Sequence, residues 1–354
     1  PWALASTCSE AMANENQVRP LRVPAPSFDV ASAHRPLKIL SLTGGGYRGL
    51  FTAQVLVELC DRARRPGRLD DSFDVFGGTS IGGLMACALA VGVPPRRVLD
   101  AIDAHGPLVF VKKRQRTLRR VFFGTLYDSD NLAKAIDECL GRAGRTKLKN
   151  IDAGVVIPAV DWARGTVQLF LSGAFGKAHA SEATLRDVCL ATSAAPTYFK
   201  PHVIDGAAML DGGLAANNPD TLILLEVAKR WPERFARTQM LSIGTAGADP
   251  VRTPKEADKT GLGWASELAI YMMGVQERTA AAQAQRLLGG KRYLRINHVP
   301  TARMPAFEQL DLASDEARTL LLDAATTTAR AAYRANRNFL DRVLTQRPGR
   351  VVKA

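Results

Sequence analysis

The chain has 354 residues, 46% of them hydrophobic and 23% charged, with a formal net charge of +13. That length and composition are enough for a large buried core. No run approaches the ~18–20 uncharged apolar residues of a membrane-spanning helix. Five widely spaced cysteines, Cys8, Cys60, Cys87, Cys139 and Cys189, argue against a disulfide framework and against a C-x-x-C metal site.

Residues 1–36 are polar and proline-dotted and read as a loosely held leader. They lack a basic segment followed by an apolar one, so the expectation is no secretory signal and a cytoplasmic chain. Strands are predicted at 37–43, 73–78, 154–160, 166–172, 239–244 and 292–297. Helical periodicity fits 47–64, 81–91, 95–105, 129–141, 182–193, 218–230, 262–288 and 314–344. Strands alternating with helices predict a three-layer α/β/α fold around a mostly parallel sheet, whose active sites lie where strands hand over to helices. The expected domains are a catalytic unit over 37–300 and a helical extension over 301–354 that packs on it.

The first strand runs into Gly44-Gly45-Gly46-Tyr47-Arg48-Gly49, which satisfies the G-x-G-x-x-G spacing of a dinucleotide turn. Such a turn requires an acid at the end of the second strand. That strand ends instead in GGTSIGG, and its Asp74 stands near the wrong end. Gly78-Thr79-Ser80-Ile81-Gly82 is G-x-S-x-G between a strand and an apolar helix, the pattern of a nucleophile elbow. Two adjacent glycine turns suit acyl transfer: one presents Ser80, and the amides of Gly44, Gly45 and Gly46 await an oxyanion, with Arg48 adding charge.

A serine nucleophile needs a base. His34, His105, His179, His202 and His298 carry no motif around them, although His298 follows a strand in the Ser…Asp…His order of an α/β-hydrolase. Asp211, in MLDGGLAANNP, is a carboxylate with room beside it. It suits either direct proton acceptance from the serine or an Asx turn ahead of the next helix.

Taken together, these segments resemble the patatin-like phospholipase family. Gly44–Gly49 match its G-G-G-x-R-G loop, Gly78–Gly82 its G-x-S-x-G, Asp211–Gly213 its D-G-G/A, and ATSAAPTYFKP at 191–201 another of its stretches. The resemblance implies a lipid acyl hydrolase with a Ser80–Asp211 dyad, an oxyanion hole at Gly44–Gly46 helped by Arg48, and neither cofactor nor metal. Thr43 departs from the Asp that many relatives carry, and tuning of the activity is expected from it. Some compact bacterial relatives are antiviral effectors switched on by cyclic oligonucleotides, so such an activator is a candidate partner. The competing readings are a Ser–His–Asp esterase using His298 and a nucleotide- or nucleic-acid-binding module without hydrolase activity.

The positive charge is uneven. Residues 91–150 hold 13 Lys/Arg against 6 Asp/Glu, which favours phosphate-bearing partners. Within them VFVKKRQRTLRRVFF sets Lys112, Lys113, Arg114, Arg116, Arg119 and Arg120 between apolar anchors, suiting contact with a phospholipid surface or an anion. The stretch 261–275, with Trp264, Tyr271, Met272 and Met273, reads first as core and second as a membrane contact. The expected location is peripheral, at the inner face of the membrane. No specific nucleic acid is expected as a partner, and a homo-oligomer is a candidate state.

Overall fold

The computed structural model describes residues 35–64, 67–111, 125–247, 261–301 and 304–345, without the side chains of 261–267. Most of the leader, the six basic residues from Lys112 to Arg120, and the Trp264 side chain therefore lie outside the described residues.

Strands β1 (Lys38–Leu42), β2 (Val75–Gly78), β3 (Gly154–Asp161), β7 (Gln239–Ile243) and β8 (Tyr293–Ile296) form a parallel set in the order β3-β2-β1-β7-β8. Antiparallel strands β4 (Thr166–Leu171), β5 (His202–Ile204) and β6 (Ala207–Asp211) complete an eight-stranded sheet beyond β3. The β5–β6 hairpin is absent from the sequence reading. Its turn is Asp205-Gly206, both at positive φ, the pairing that favours a tight two-residue hairpin.

Side chains alternate across the sheet because strand geometry has a period of two. From β1, Leu40 and Leu42 enter one core while Ile39 enters the other. The first core is covered by α1 (Gly49–Arg62), α2 (Ile81–Ala90), α3 (Pro95–Val109), α4 (Ser129–Leu140) and α5 (Leu185–Thr192). The second is covered by α6 (Asp220–Arg230) and α7 (Gly261–Leu288), through Ile223, Leu224, Ala284 and Leu288. Three layers result, as the alternation of elements predicts.

The C-terminal helical stretch is two helices, not one: α8 (Asp315–Ala335) and α9 (Arg337–Thr345). The break falls at Asn336, whose side-chain amide donates to Ala332 O at 3.2 Å. A short polar side chain that bonds the preceding turn competes with continuation of the helix. Helix α8 starts at Ser314, whose hydroxyl accepts from Ala317 N, and it buries Leu321, Ala325 and Ala329 in the α1 core. The α3 helix also runs further than its periodicity implies. It continues through Pro107 to Val109, so His105 lies inside a helix instead of ending one.

Candidate active site

Ser80 sits between β2 and α2 with φ 54° and ψ −126°. A non-glycine residue in this region stores backbone strain, and surrounding structure must hold it there. Here the Ser80 N–H donates to Thr192 Oγ1 at 3.0 Å, and the Thr192 hydroxyl donates to Pro158 O at 2.7 Å. The flanking glycines permit the turn by close approach: a Cβ on Gly78 would lie 2.1 Å from Gly82 O, and one on Gly82 would lie 2.3 Å from Leu42 O.

Asp211 ends β6, where the strand pairs with Ala159 of β3. The antiparallel hairpin thus carries this carboxylate to the edge of the sheet at which β2 delivers Ser80. Asp211 is buried, accepts from Gly213 N at 2.7 Å, and shares the cavity wall with Ser80. Burial pushes its pKa up to about 6, against the lowering effect of the Gly213 amide and the Ser80 hydroxyl. A carboxylate of that basicity, in contact with a serine, is suited to accept its proton near neutral pH.

The glycine loop sorts its three amides. Gly44 N already donates to Asn217 O at 2.9 Å, so Gly44 contributes a close approach instead of a donor. A Cβ there would lie 3.3 Å from Ser80 Cβ. Gly45 and Gly46 line the cavity with Ser80 and Asp211, and among the described residues their amides have no hydrogen-bond acceptor. Gly46 has φ +57°, and a Cβ on it would lie 2.1 Å from Leu310 O. Arg48 does not line the cavity. It is buried behind the loop, with Nη1 donating to Phe307 O at 2.6 Å, and desolvation draws its pKa down against the opposing influence of Glu277 and Tyr198.

The cavity measures about 490 Å³, and its walls are chiefly apolar, among them Leu84, Ile102, Val109, Phe110, Phe199 and Met273. Leu214 and Ile270 stand on its wall and are exposed, as are the nearby Leu268 and Met272. A strained serine, a desolvated carboxylate and two amides without an acceptor at the head of an apolar cavity are the features that acyl transfer from a hydrophobic chain requires.

A family model described as patatin-like phospholipase matches residues 40–222. The chain belongs to the patatin-like phospholipase family. It is 35% identical over 260 residues to a cGAMP-activated phospholipase of Vibrio cholerae, covering 67% of this chain and 71% of that one. Proteins of the same description from Escherichia coli and Pseudomonas aeruginosa are 33% and 32% identical, covering 70% and 83% of this chain and 72% and 88% of theirs. The chain is therefore a hydrolase of the phospholipase type, and a binding module without hydrolase activity is set aside.

The other site residues of this phospholipase fall as follows. His298 lies between the rings of Phe51 and Phe307, with Nδ1 3.5 Å from Thr328 Oγ1, outside the cavity. It is therefore not positioned as a partner for Ser80. His202 pairs with Asp187 at 3.2 Å, and His105 lines the cavity wall without a hydrogen bond to the serine. The apolar residues of α7 from Leu268 onward are not simply core: Leu268, Ile270, Met272 and Val275 are exposed. Among the described residues no cluster of three His, Cys, Asp or Glu side chains could hold a metal ion, and no helix is long and apolar enough to cross a membrane.

Sequence reasoning missed a buried polar network beneath the glycine loop. Arg295 donates to Thr43 Oγ1 at 2.8 Å and to Ser242 Oγ at 2.7 Å, and pairs with Glu277 at 2.5 Å. Ser242 and Tyr293 in turn donate to Asp220. Thr43 is thus an acceptor for a largely buried arginine whose charge is met by Glu277. Asn217 was also missed, although it stands in the AANNP stretch. It is buried, donates to Gly44 O at 3.3 Å, and lines the cavity.

Proposed function

We propose that this phospholipase cleaves acyl esters of membrane phospholipids with Ser80 as nucleophile and Asp211 as its sole base, and that a cyclic oligonucleotide switches it on. The observation that carries the dyad is the placing of the strained Ser80 beside the buried Asp211 at the head of one apolar cavity, with the carboxyl pKa raised to about 6 by desolvation.

The steps are these. Ser80 Oγ attacks the ester carbonyl carbon as its proton passes to Asp211. The carbonyl oxygen becomes an oxyanion, held by the amides of Gly45 and Gly46, each worth ~3–4 kcal/mol to the transition state by analogy with measured oxyanion donors. Collapse breaks the ester bond, and the lysophospholipid alkoxide leaves with the proton from Asp211. Water then attacks the acyl-serine, Asp211 takes the water's proton, and the second tetrahedral species expels Ser80, which regains that proton as the fatty acid departs.

The exposed apolar residues at the cavity mouth support contact with a lipid surface, since contiguous exposed apolar area marks interaction sites. Activation by a cyclic oligonucleotide is supported by the description of the bacterial relatives as cGAMP-activated.

Mixed-chain phospholipid vesicles, incubated with and without a panel of cyclic di- and trinucleotides, test this reading. Fatty-acid release by the wild-type chain, rising with one nucleotide and abolished by Ser80→Ala and by Asp211→Ala, is the expected result. Retained activity in either variant would overturn the dyad, and indifference to every nucleotide would overturn the activation.

A further inference from the structure

A second cavity, of about 590 Å³, opens at the far end of the sheet, where β7 and β8 begin. Lys291, Arg292, Arg334, Arg337 and Arg342 line it, and no described Asp or Glu does. Two of the five are partly engaged: Arg292 donates to Ala236 O at 2.7 Å, and Arg337 reaches Asp341 at 3.5 Å. On the same wall stands Gln239, nine-tenths buried, whose Oε1 has no hydrogen-bond partner. A buried acceptor left unsatisfied costs free energy and calls for an explanation.

We propose that this cavity binds the regulatory cyclic oligonucleotide. The inference rests on the reading that such a molecule activates the enzyme, and it supplies the location. Phosphodiester oxygens match converging guanidinium and ammonium groups. The ligand's base amino groups and ribose hydroxyls are the donors that Gln239 lacks. The volume lies in the range of pockets that enclose a compact ligand of this size. A bilayer surface is the poorer match, because these cations converge on a concavity. The cavity also lies at the N-terminal ends of the parallel strands, whereas Ser80 follows the C-terminal end of β2. With the apolar mouth against lipid, this end of the sheet faces away from the membrane.

Two rigid elements lead from the cavity to the glycine loop. Along β8, Arg292 is followed three residues later by Arg295, which bonds Thr43. From Arg334, α8 runs about 30 Å, at ~1.5 Å per residue, back to the segment that holds the loop. There Tyr47 N donates to Leu310 O at 2.7 Å and Arg48 donates to Phe307 O. A polyanion that draws the α8–α9 junction towards the start of β8 biases both elements, and with them the position of the Gly45 and Gly46 amides.

The test is calorimetric titration of the full chain with the panel of cyclic di- and trinucleotides, cGAMP included, alongside vesicle hydrolysis. Arg334→Gln/Arg342→Gln and Gln239→Leu are compared with the wild type, and thermal melting without nucleotide reports their folding. The double variant, whose side chains are exposed, is expected to melt normally. It should raise both the dissociation constant and the half-activating concentration about tenfold or more. Wild-type affinity in a folded double variant would overturn the site while leaving activation standing. No binding of any nucleotide to the wild-type chain would overturn the site together with the activation reading.

Discussion

Replacing Asp211 by Asn separates the catalytic and the structural consequences of burying this carboxyl. Its pKa stands at about 6 against an ordinary 3.8, chiefly through desolvation. At ~1.4 kcal/mol per pKa unit, the ionised native state is penalised by roughly 3 kcal/mol. A raised carboxyl pKa means that the native state holds the proton more tightly than the unfolded chain. Stability from this group is therefore fully present below pH 3.8 and is lost as the pH rises through about 6. Asn carries no charge and retains an oxygen to accept from Gly213 N. After the cost of burying an amide, the variant is expected to gain about 1–3 kcal/mol above pH 7. For a chain of this size that is about 2–8 °C in melting temperature, shrinking towards zero near pH 4. Wild-type kcat/KM should fall about tenfold per pH unit below about 6 as the base is protonated, while Asp211→Asn stays inactive throughout. Thermal melts across pH 4–8 and a pH profile with a soluble ester measure both effects. A melting difference independent of pH, or a rate still flat at pH 5, would refute the argument.

Three further outcomes follow from the same geometry. Gly46→Ala places a Cβ 2.1 Å from Leu310 O at φ +57°; it should cost about 1–3 kcal/mol of stability and roughly a hundredfold in turnover, read by melting and ester hydrolysis. Arg295→Met leaves the half-buried Glu277 without its partner and should destabilise by about 2–3 kcal/mol, and adding Glu277→Gln should recover part of the loss in the same melting assay. Ile270→Glu puts a charge on the exposed apolar wall of the cavity; vesicle hydrolysis should fall roughly tenfold, about the worth of one buried apolar side chain, and much further than hydrolysis of a soluble ester. Equal losses on both substrates would remove Ile270 from the lipid contact.

Much of this was legible locally. The apolar run at 37–42 and the G-x-S-x-G turn are short-range patterns with a backbone cause, so strand, elbow and helix were read where they occur. The β5–β6 hairpin was missed although Asp205-Gly206 announced it, because three-residue strands carry too little periodicity. The helix break at Asn336 was missed because one asparagine bonding backward is a small perturbation on a long amphipathic pattern. Exposure of Leu268 and Met272 was misjudged for a different reason: a helix's apolar residues do not state whether protein or solvent lies opposite them.

The sequence by itself determined the parallel α/β architecture, the nucleophile elbow and the family, since each depends on residues close along the chain or on ordered motifs. Only the tertiary structure decided which groups act together. It gave Gly44 N to Asn217 and left the Gly45 and Gly46 amides without an acceptor among the described residues. It turned Arg48 away from the cavity towards Phe307, and it enclosed His298 between two aromatic rings. It also gathered Gln239, Arg292, Arg334 and Arg342, more than 100 residues apart at their extremes, around one cavity. Hydrogen-bond partners, desolvation and convergent charge are properties of atoms brought together by folding, and spacing along the chain does not encode them one motif at a time.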